Sequence, residues 1–189
     1  MALAARDVAV AASATSSTGR LPRGSRPPFG DDTRVRLFEW AVSVPTLIGI
    51  AWLAPGDERL ATAAPWFPTV VAASLLSVRV WGTVSMDMSL PVLLAAGIVL
   101  GGPVAGLLAL VGSISERELR REVGLTRAIF DRCQVAVSVL VAASVYHAIA
   151  GSPYALPGAA LAFTLALLAD FLVNVSLVVV VSRLTTGVP

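Results

Sequence analysis

The stretch that decides the fold is "LALLADFLVNVSLVVV", which runs from Leu165 to Val180. It is apolar enough for the interior of a lipid bilayer, yet it contains Asp170 and, four residues later, Asn174. An ionisable group at membrane depth is energetically costly, so Asp170 needs a hydrogen-bonding partner, a water-filled cavity or a function. The stretch therefore predicts a membrane helix that carries a polar site inside the protein.

The composition of the whole chain is that of an integral membrane protein. Of the 189 residues, 56% are hydrophobic, only 14% are charged, and the mean hydropathy is +0.81. Soluble domains carry about 25% charged residues, and the apolar residues here fall in long runs. We therefore predict an all-α, polytopic membrane helix bundle whose main partner is the lipid bilayer.

The chain lacks the residues that most catalytic and cofactor sites need. All 14 basic residues are Arg, so there is no Lys for a phosphate-binding loop or a Schiff base. Cys133 and His147 are the single Cys and the single His, which leaves no cluster for a metal ion. No basic patch is interleaved with aromatic residues, as it is in proteins that bind single-stranded nucleic acid. We expect no enzymatic activity, no cofactor, no metal site and no nucleic-acid partner.

Six apolar segments follow an N-terminal tail. Residues 1–33 are rich in Ser, Ala, Pro, Gly and Arg, which predicts a disordered cytoplasmic tail. Residues 34–184 hold about six predicted transmembrane segments, and residues 185–189 form a short cytoplasmic tail. The segments run from Leu37 to Ala54, Phe67 to Trp81, Leu90 to Leu100, Val104 to Ile114, Ala128 to Ala150 and Ala159 to Ser182.

The third and fourth segments are short, and two interpretations of them compete. They are two helices joined by a turn, or one long helix kinked at the Gly-Gly-Pro sequence of residues 101–103. Cytoplasmic loops of membrane proteins collect Arg. With two separate passes, the cytoplasmic side holds six Arg before the first segment, Arg79, five from Arg117 to Arg132, and Arg183, which makes 13 of 14. This distribution favours two segments and places both termini in the cytoplasm.

Glycines spaced four residues apart flank this turn. Gly97 and Gly101 form the first pair, and Gly102 and Gly106 form the second, with Pro103 directly after the turn. Such spacing lets the backbones of membrane helices approach each other closely. We expect these residues to serve packing within the chain rather than a dimer interface.

The sixth segment carries small and polar residues at a spacing of four, namely Ala162, Ala166, Asp170 and Asn174. Residues at this spacing share one face of a helix. On the fifth segment, Gln134 and Ser138 are also four apart and are placed to face Asp170. Two interpretations stay open, because the carboxyl either pins the helices together or serves as a ligand-binding or coupling carboxylate. In both cases we expect Asp170 to carry its proton or to accept a hydrogen bond from Gln134 or Ser138.

Several of these positions belong to a longer pattern. It consists of Ser89-Leu90-Pro91, Gly102-Pro103, Phe130 with Gln134, and Phe171 with Asn174. Over residues 68–184 the chain resembles the N-terminal membrane region of bacterial signalling proteins that carry a diguanylate cyclase or an HD-GYP phosphohydrolase domain. Asp131 stands where that pattern usually has Asn.

This resemblance implies a sensory, ligand-binding module in the bacterial plasma membrane. Neither a cyclase nor a phosphohydrolase domain is contained in the sequence. We therefore expect the membrane part of a signalling protein, a module served by a separate cytoplasmic signalling subunit, or one whose signalling role is lost.

The architecture is also similar to the substrate-capturing S component of energy-coupling-factor vitamin transporters. Those proteins have six helices and no ATPase of their own, and small residues four apart on their first helix usually dock the coupling subunit. The first segment here, "LFEWAVSVPTLIGIAWLA", has no Ala-x-x-x-Ala. Capture of a vitamin or metabolite for a transporter subunit is the alternative function, and a purely structural membrane protein is the third.

Overall fold

The structure, a computed structural model, describes residues 30–54, 57–80, 84–150 and 156–186. Residues 1–29 of the predicted N-terminal tail lie outside the described residues. α1 begins at Gly30, so the last residues of the predicted tail belong to this helix. Residues 187–189 of the predicted C-terminal tail also lie outside them. The described part is helical apart from one small hairpin.

The helices follow one another along the chain with the hairpin between the second and the third. α1 spans Gly30–Leu53, a 3₁₀ helix spans Glu58–Ala63, α2 spans Trp66–Leu75, β1 spans Ser77–Val80, β2 spans Val84–Asp87, α3 spans Ser89–Leu100, α4 spans Gly102–Gly112, α5 spans Glu116–Leu119, α6 spans Leu125–Ala150 and α7 spans Leu156–Thr186.

Three helices are long and apolar enough to cross a membrane, and they contain the stretches Thr33–Leu53, Leu125–Ala150 and Gly158–Thr185. The apolar helices α2, α3 and α4 have only 10, 12 and 11 residues. At 1.5 Å per residue these three are about 15–18 Å long, against a hydrocarbon core of about 30 Å. The fold is thus a set of apolar helices, three of which have the length of a membrane span.

The second predicted segment, Phe67 to Trp81, is helical only in its first part. α2 ends at Leu75, and β1 then pairs with β2 in an antiparallel hairpin that runs from the pair Ser77 and Asp87 to the pair Val80 and Val84. The sequence of β1, Ser-Val-Arg-Val, alternates polar and β-branched side chains, which is typical of a strand. The apolar composition of the segment did not predict this change.

The third and fourth predicted segments are two separate helices, as the distribution of Arg predicted. Gly101 joins them with a φ of 91°, a left-handed conformation that glycine adopts without strain. A Cβ added at Gly97 would lie 3.7 Å from the Cβ of Ala105. Eight residues along one continuous helix would be about 12 Å apart, so the chain reverses direction at this turn.

α6 is the helix on which most of the bundle packs, since it contacts α3, α4 and α7. A Cβ added at Gly102 would lie 3.2 Å from the carbonyl oxygen of Leu140, and one added at Gly106 would lie 3.6 Å from that of Ala136. Pro103 occupies the first turn of α4, where its missing N–H leaves no helical hydrogen bond unmade. The glycines of α4 therefore bring its backbone close to that of α6.

Two sets of contacts lie at opposite ends of the bundle. At the first, Ser74 Oγ donates to Gly112 O at 3.2 Å and Arg132 Nη1 donates to Leu110 O at 3.3 Å. At the second, Arg59 lies at the turn between α3 and α4. The remaining arginines of the described residues belong to the first end, which we name the arginine-rich end: Arg34, Arg36, Arg79, Arg117, Arg120, Arg121, Arg127, Arg132 and Arg183.

Candidate functional site

α6 and α7 pair in antiparallel fashion, and their contacts recur at every fourth residue. Four residues make about one helical turn, so one face of each helix supplies all of these contacts. Starting at the arginine-rich end, the contacts are Gln134 with Asn174, Ser138 with Asp170, Ala142 and Tyr146 in one cluster with Ala166 and Ala162, and Ala150 with Gly158.

Asp170 lies in the middle of this interface and is only 3% exposed. The hydroxyl of Ser138 lies beside its carboxyl, but that hydroxyl donates its hydrogen bond to Val135 O at 3.1 Å. The Oδ1 atom of Asp170 is buried and has no hydrogen-bond partner among the described residues. The predicted contact with Ser138 is therefore present in the structure, but it does not saturate the carboxyl.

Gln134 and Asn174 form the next contact toward the arginine-rich end. Gln134 Nε2 donates a hydrogen bond to Asn174 Oδ1, and Gln134 is buried. This bond joins the two amides to each other, and the predicted hydrogen bond from Gln134 to Asp170 is not formed among the described residues. The site thus consists of two amides that are hydrogen-bonded to each other and, beside them, a carboxyl with one oxygen that has no hydrogen-bond partner among the described residues.

The chemistry of the Asp170 carboxyl follows from its surroundings. An ionised carboxylate removed from water needs an opposite charge or several donors. None of the ion pairs formed by the described residues includes Asp170. Apart from its contact with Ser138, the carboxyl therefore needs its proton, or a hydrogen bond or positive charge from a group outside the described residues.

Two basic side chains that the sequence analysis had not linked to the site lie at the C-terminal end of α3. His147 Nε2 is 3.1 Å from Gly97 O, and Arg59 Nη1 donates to Leu100 O at 3.5 Å. Carbonyl groups at the C-terminal end of a helix can accept hydrogen bonds from side chains, and Gly97 O also accepts one from Gly101 N at 3.1 Å. One usable sign in the sequence is that α3 is followed by glycines, which offer no side chain to its last carbonyl groups.

A second group of polar side chains occupies the arginine-rich end. Glu39 is buried in α1 and lies 3.4 Å from Arg127, which is also 3.1 Å from Asp131. Arg132 binds Glu118 at 2.5 Å. Sequence analysis missed Glu39, although an acidic residue within the apolar stretch "LFEWAVSV" marks a side chain that needs a partner.

The described residues contain no group of three or more His, Cys, Asp or Glu side chains that could hold a metal ion. Cys133 is buried, and its Sγ lies 3.8 Å from Ser43 O in α1. It therefore acts as a packing residue between α1 and α6.

Comparisons with known proteins find no match to this chain among protein families, curated sequences or solved structures. The function is therefore argued from the geometry of the site itself.

Proposed function

We propose that this chain is a multi-pass protein of the bacterial plasma membrane that acts as a sensory, ligand-binding module and has no catalytic activity of its own. The observation that carries the proposal is the buried Asp170 carboxyl in the middle of the α6/α7 interface, whose Oδ1 atom has no hydrogen-bond partner among the described residues. Its ligand is a proton, a small cation or a hydrogen-bond donor, because these are what a buried carboxyl accepts.

The surface of α7 supports a location in the membrane. Its large apolar side chains point away from α6 and are exposed, which a membrane tolerates and water does not. They include Leu161, Phe163, Leu167, Leu168, Phe171, Leu172, Val175, Val178, Val179 and Val180. We propose six passes in which α2, α3 and α4 cross as short helices shielded by their neighbours.

The placement of Arg supports one orientation. The arginine-rich end faces the cytoplasm in this proposal, because Arg collects on that side of membrane proteins. The alternating direction of the helices then places both the start of α1 and the end of α7 in the cytoplasm.

The α6/α7 interface suggests how a bound ligand would be detected. Apart from Tyr146, the contacts of this interface are small or polar side chains, and α6 is the helix to which α7 is principally packed. A ligand at Asp170 would change the pairing of the two helices midway along them. The change would reach the cytoplasmic end of α7 at Arg183, where a signalling subunit, or a transporter subunit under the alternative function, would contact it.

The test uses thermal unfolding of the purified chain in lipid nanodiscs with a panel of small amines and neutral amides. We expect Asp170→Asn to fold and to lose the stabilisation that a panel member gives the parent protein. Thr164→Val is the matched control, because the Thr164 hydroxyl is exposed on the same helix and donates only to Ala160 O at 2.9 Å. The control should respond as the parent does.

Two outcomes would contradict the proposal. If Asp170→Leu is as stable as the parent and unchanged in every response, the carboxyl is neither a buried pin nor a ligand site. If the purified chain turns over ATP, GTP or a cyclic dinucleotide and a point mutation within it abolishes that turnover, the chain is an enzyme. Purification with a bound coupling subunit and ATPase would favour the alternative function, a transporter subunit.

A further inference from the structure

A cavity of about 350 Å³ lies at the arginine-rich end, beside the first turns of α6. Its walls combine two kinds of side chain. Val123, Leu125 and Ile129 are apolar, while Glu118, Arg121 and Arg132 are charged. The cavity is separate from the α6/α7 interface, since it contains neither Asp170 nor any other residue of α7.

Among the described side chains that line the cavity, one cation is left unpaired. Arg132 is paired with Glu118 at 2.5 Å, so these two charges compensate each other. Arg121 forms no ion pair with any described side chain. In contrast, the other arginines from residue 117 to residue 132 all pair with a carboxylate: Arg117 with Glu122, Arg120 with Glu116, Arg127 with Glu39 and Asp131, and Arg132 with Glu118. The cavity therefore has a net positive charge that Arg121 supplies.

The backbone places Arg121 in an uncommon conformation. Its φ is 56°, in the left-handed region, and among the non-glycine residues described it alone has a positive φ. The turn is closed by hydrogen bonds from Arg121 N to Glu118 O and from Glu122 N to Arg117 O, both at 2.9 Å. An arginine seldom adopts this conformation, which glycine would adopt without strain.

The apolar walls of the cavity are open to the surroundings of the protein. Leu125 is 78% exposed, although it begins the long apolar helix α6, and nearby Leu119 is also exposed. Exposed apolar side chains beside charged ones are typical of the boundary between lipid tails and headgroups. In the proposed orientation this boundary is the cytoplasmic leaflet.

We propose that this cavity binds one anionic phospholipid, with the phosphate at Arg121 and an acyl chain along Leu125 and Ile129. The free positive charge selects the anionic headgroup, and basic pockets at the cytoplasmic ends of membrane helices bind such headgroups. The apolar walls favour a lipid over a free phosphate ion, which has no group to place against them. The proposal rests on the membrane location proposed above, but it does not depend on a ligand at Asp170.

The test measures retained lipid on the full-length chain by native mass spectrometry in detergent. The probes are phosphatidylglycerol, phosphatidylcholine and inorganic phosphate. We expect one retained phosphatidylglycerol on the parent and at least a fivefold loss of it in Arg121→Gln. Arg120→Gln is the matched control, since it removes the same charge from the adjacent residue, which does not line the cavity. We expect the control to stay within twofold of the parent.

A second variant tests the apolar half of the site. Leu125→Asn should also lower retention of phosphatidylglycerol, because the acyl chain loses its apolar contact. Leu119→Asn is its control, because Leu119 is exposed at the same end but does not line the cavity.

The remaining outcomes overturn the proposal in distinguishable ways. Equal losses in Arg121→Gln and Arg120→Gln would show attraction by total charge only. Equal retention of phosphatidylcholine would show that the headgroup is not recognised, and displacement by millimolar phosphate would show a site for free anions. A chain recovered from cells in the aqueous fraction would overturn the membrane location and this site together. If the lipid site fails but binding at Asp170 is unchanged, only this inference is overturned and the sensory proposal stands.

Discussion

α6 and α7 are both long and apolar, but the rest of the chain covers them to different extents. Of the apolar 18-residue stretch of α6, 50% is buried inside the protein, whereas only 17% of the corresponding stretch of α7 is buried. The mean hydropathy of α7 is nevertheless the higher of the two, at 2.3 against 1.7. In a protein surrounded by water the more apolar helix would be the more buried one. In the proposed membrane location, α7 meets lipid over most of its surface, while α6 meets mainly other helices.

The polar residues follow the same division. On α6, Gln134 and Ser138 lie at the contact with α7, while His147 lies 3.1 Å from Gly97 O of α3. On α7 the polar groups Asp170 and Asn174 lie on the single face that α6 covers. In the proposed sensor, α7 is the element suited to report a ligand, because among the described helices it packs mainly against α6.

The largest expected effect concerns the position of the membrane around these helices. We expect Arg120→Cys, in a Cys133→Ala background, to be labelled by an impermeant thiol reagent only after cells are permeabilised. Thr62→Cys, which is exposed in the 3₁₀ helix at the Arg59 end, should be labelled from outside. Labelling of residue 120 in intact cells would reverse the orientation and contradict the assignment of the arginine-rich end to the cytoplasm.

The next effect tests how tightly α6 is enclosed. A Cβ at Gly102 would lie 3.2 Å from the Leu140 carbonyl oxygen, and a backbone atom of α6 cannot move away easily. We expect Gly102→Val to lower the free energy of unfolding by about 1–3 kcal/mol, the usual cost of overpacking. Gly49→Val is the control, because a Cβ there meets nothing within 4 Å. Reversible unfolding in mixed micelles would measure both, and equal stabilities would show that α4 and α6 are not in close contact.

A smaller effect tests the bond that joins α6 to α7. Hydrogen bonds between membrane helices contribute about 0.6 kcal/mol on average, and a lost partner leaves the other amide unsatisfied. We expect Gln134→Leu and Asn174→Leu each to cost about 1 kcal/mol, and the double variant to cost less than the two together. Strictly additive losses in the same unfolding assay would show that the two amides do not act as a pair.

The sequence alone predicted the parts of this structure that depend on spacing along one helix. The period of four on the sixth segment identified the face of α7 that meets α6, and the period of four on the fifth segment identified Ser138 as a neighbour of Asp170. The distribution of Arg predicted two helices at residues 89–112, which the turn at Gly101 separates.

Contacts between distant parts of the chain could not be predicted in this way. Glu39 and Arg127 are 88 residues apart, and His147 and Gly97 are 50 residues apart. Periodicity reports which side of a helix is buried, but it does not report which other helix lies there. The hairpin after Leu75 was missed for a related reason, because apolar β-branched residues suit both a membrane helix and a strand.

The smallest expected effect is on the side of α7 that faces away from α6. Phe171 directly follows Asp170, yet it is 60% exposed, because adjacent residues of a helix point in different directions. If lipid covers this face, Phe171→Leu exchanges one apolar side chain for another in an apolar solvent, and the free energy of unfolding should change by less than about 0.5 kcal/mol. Phe130→Leu is the matched control inside the bundle, since Phe130 is fully buried on α6 and its loss should cost more than that of Phe171. A loss at Phe171 as large as that at Phe130 would mean that protein, not lipid, covers the outer face of α7, and the contrast between the two helices would then describe an unfilled interface.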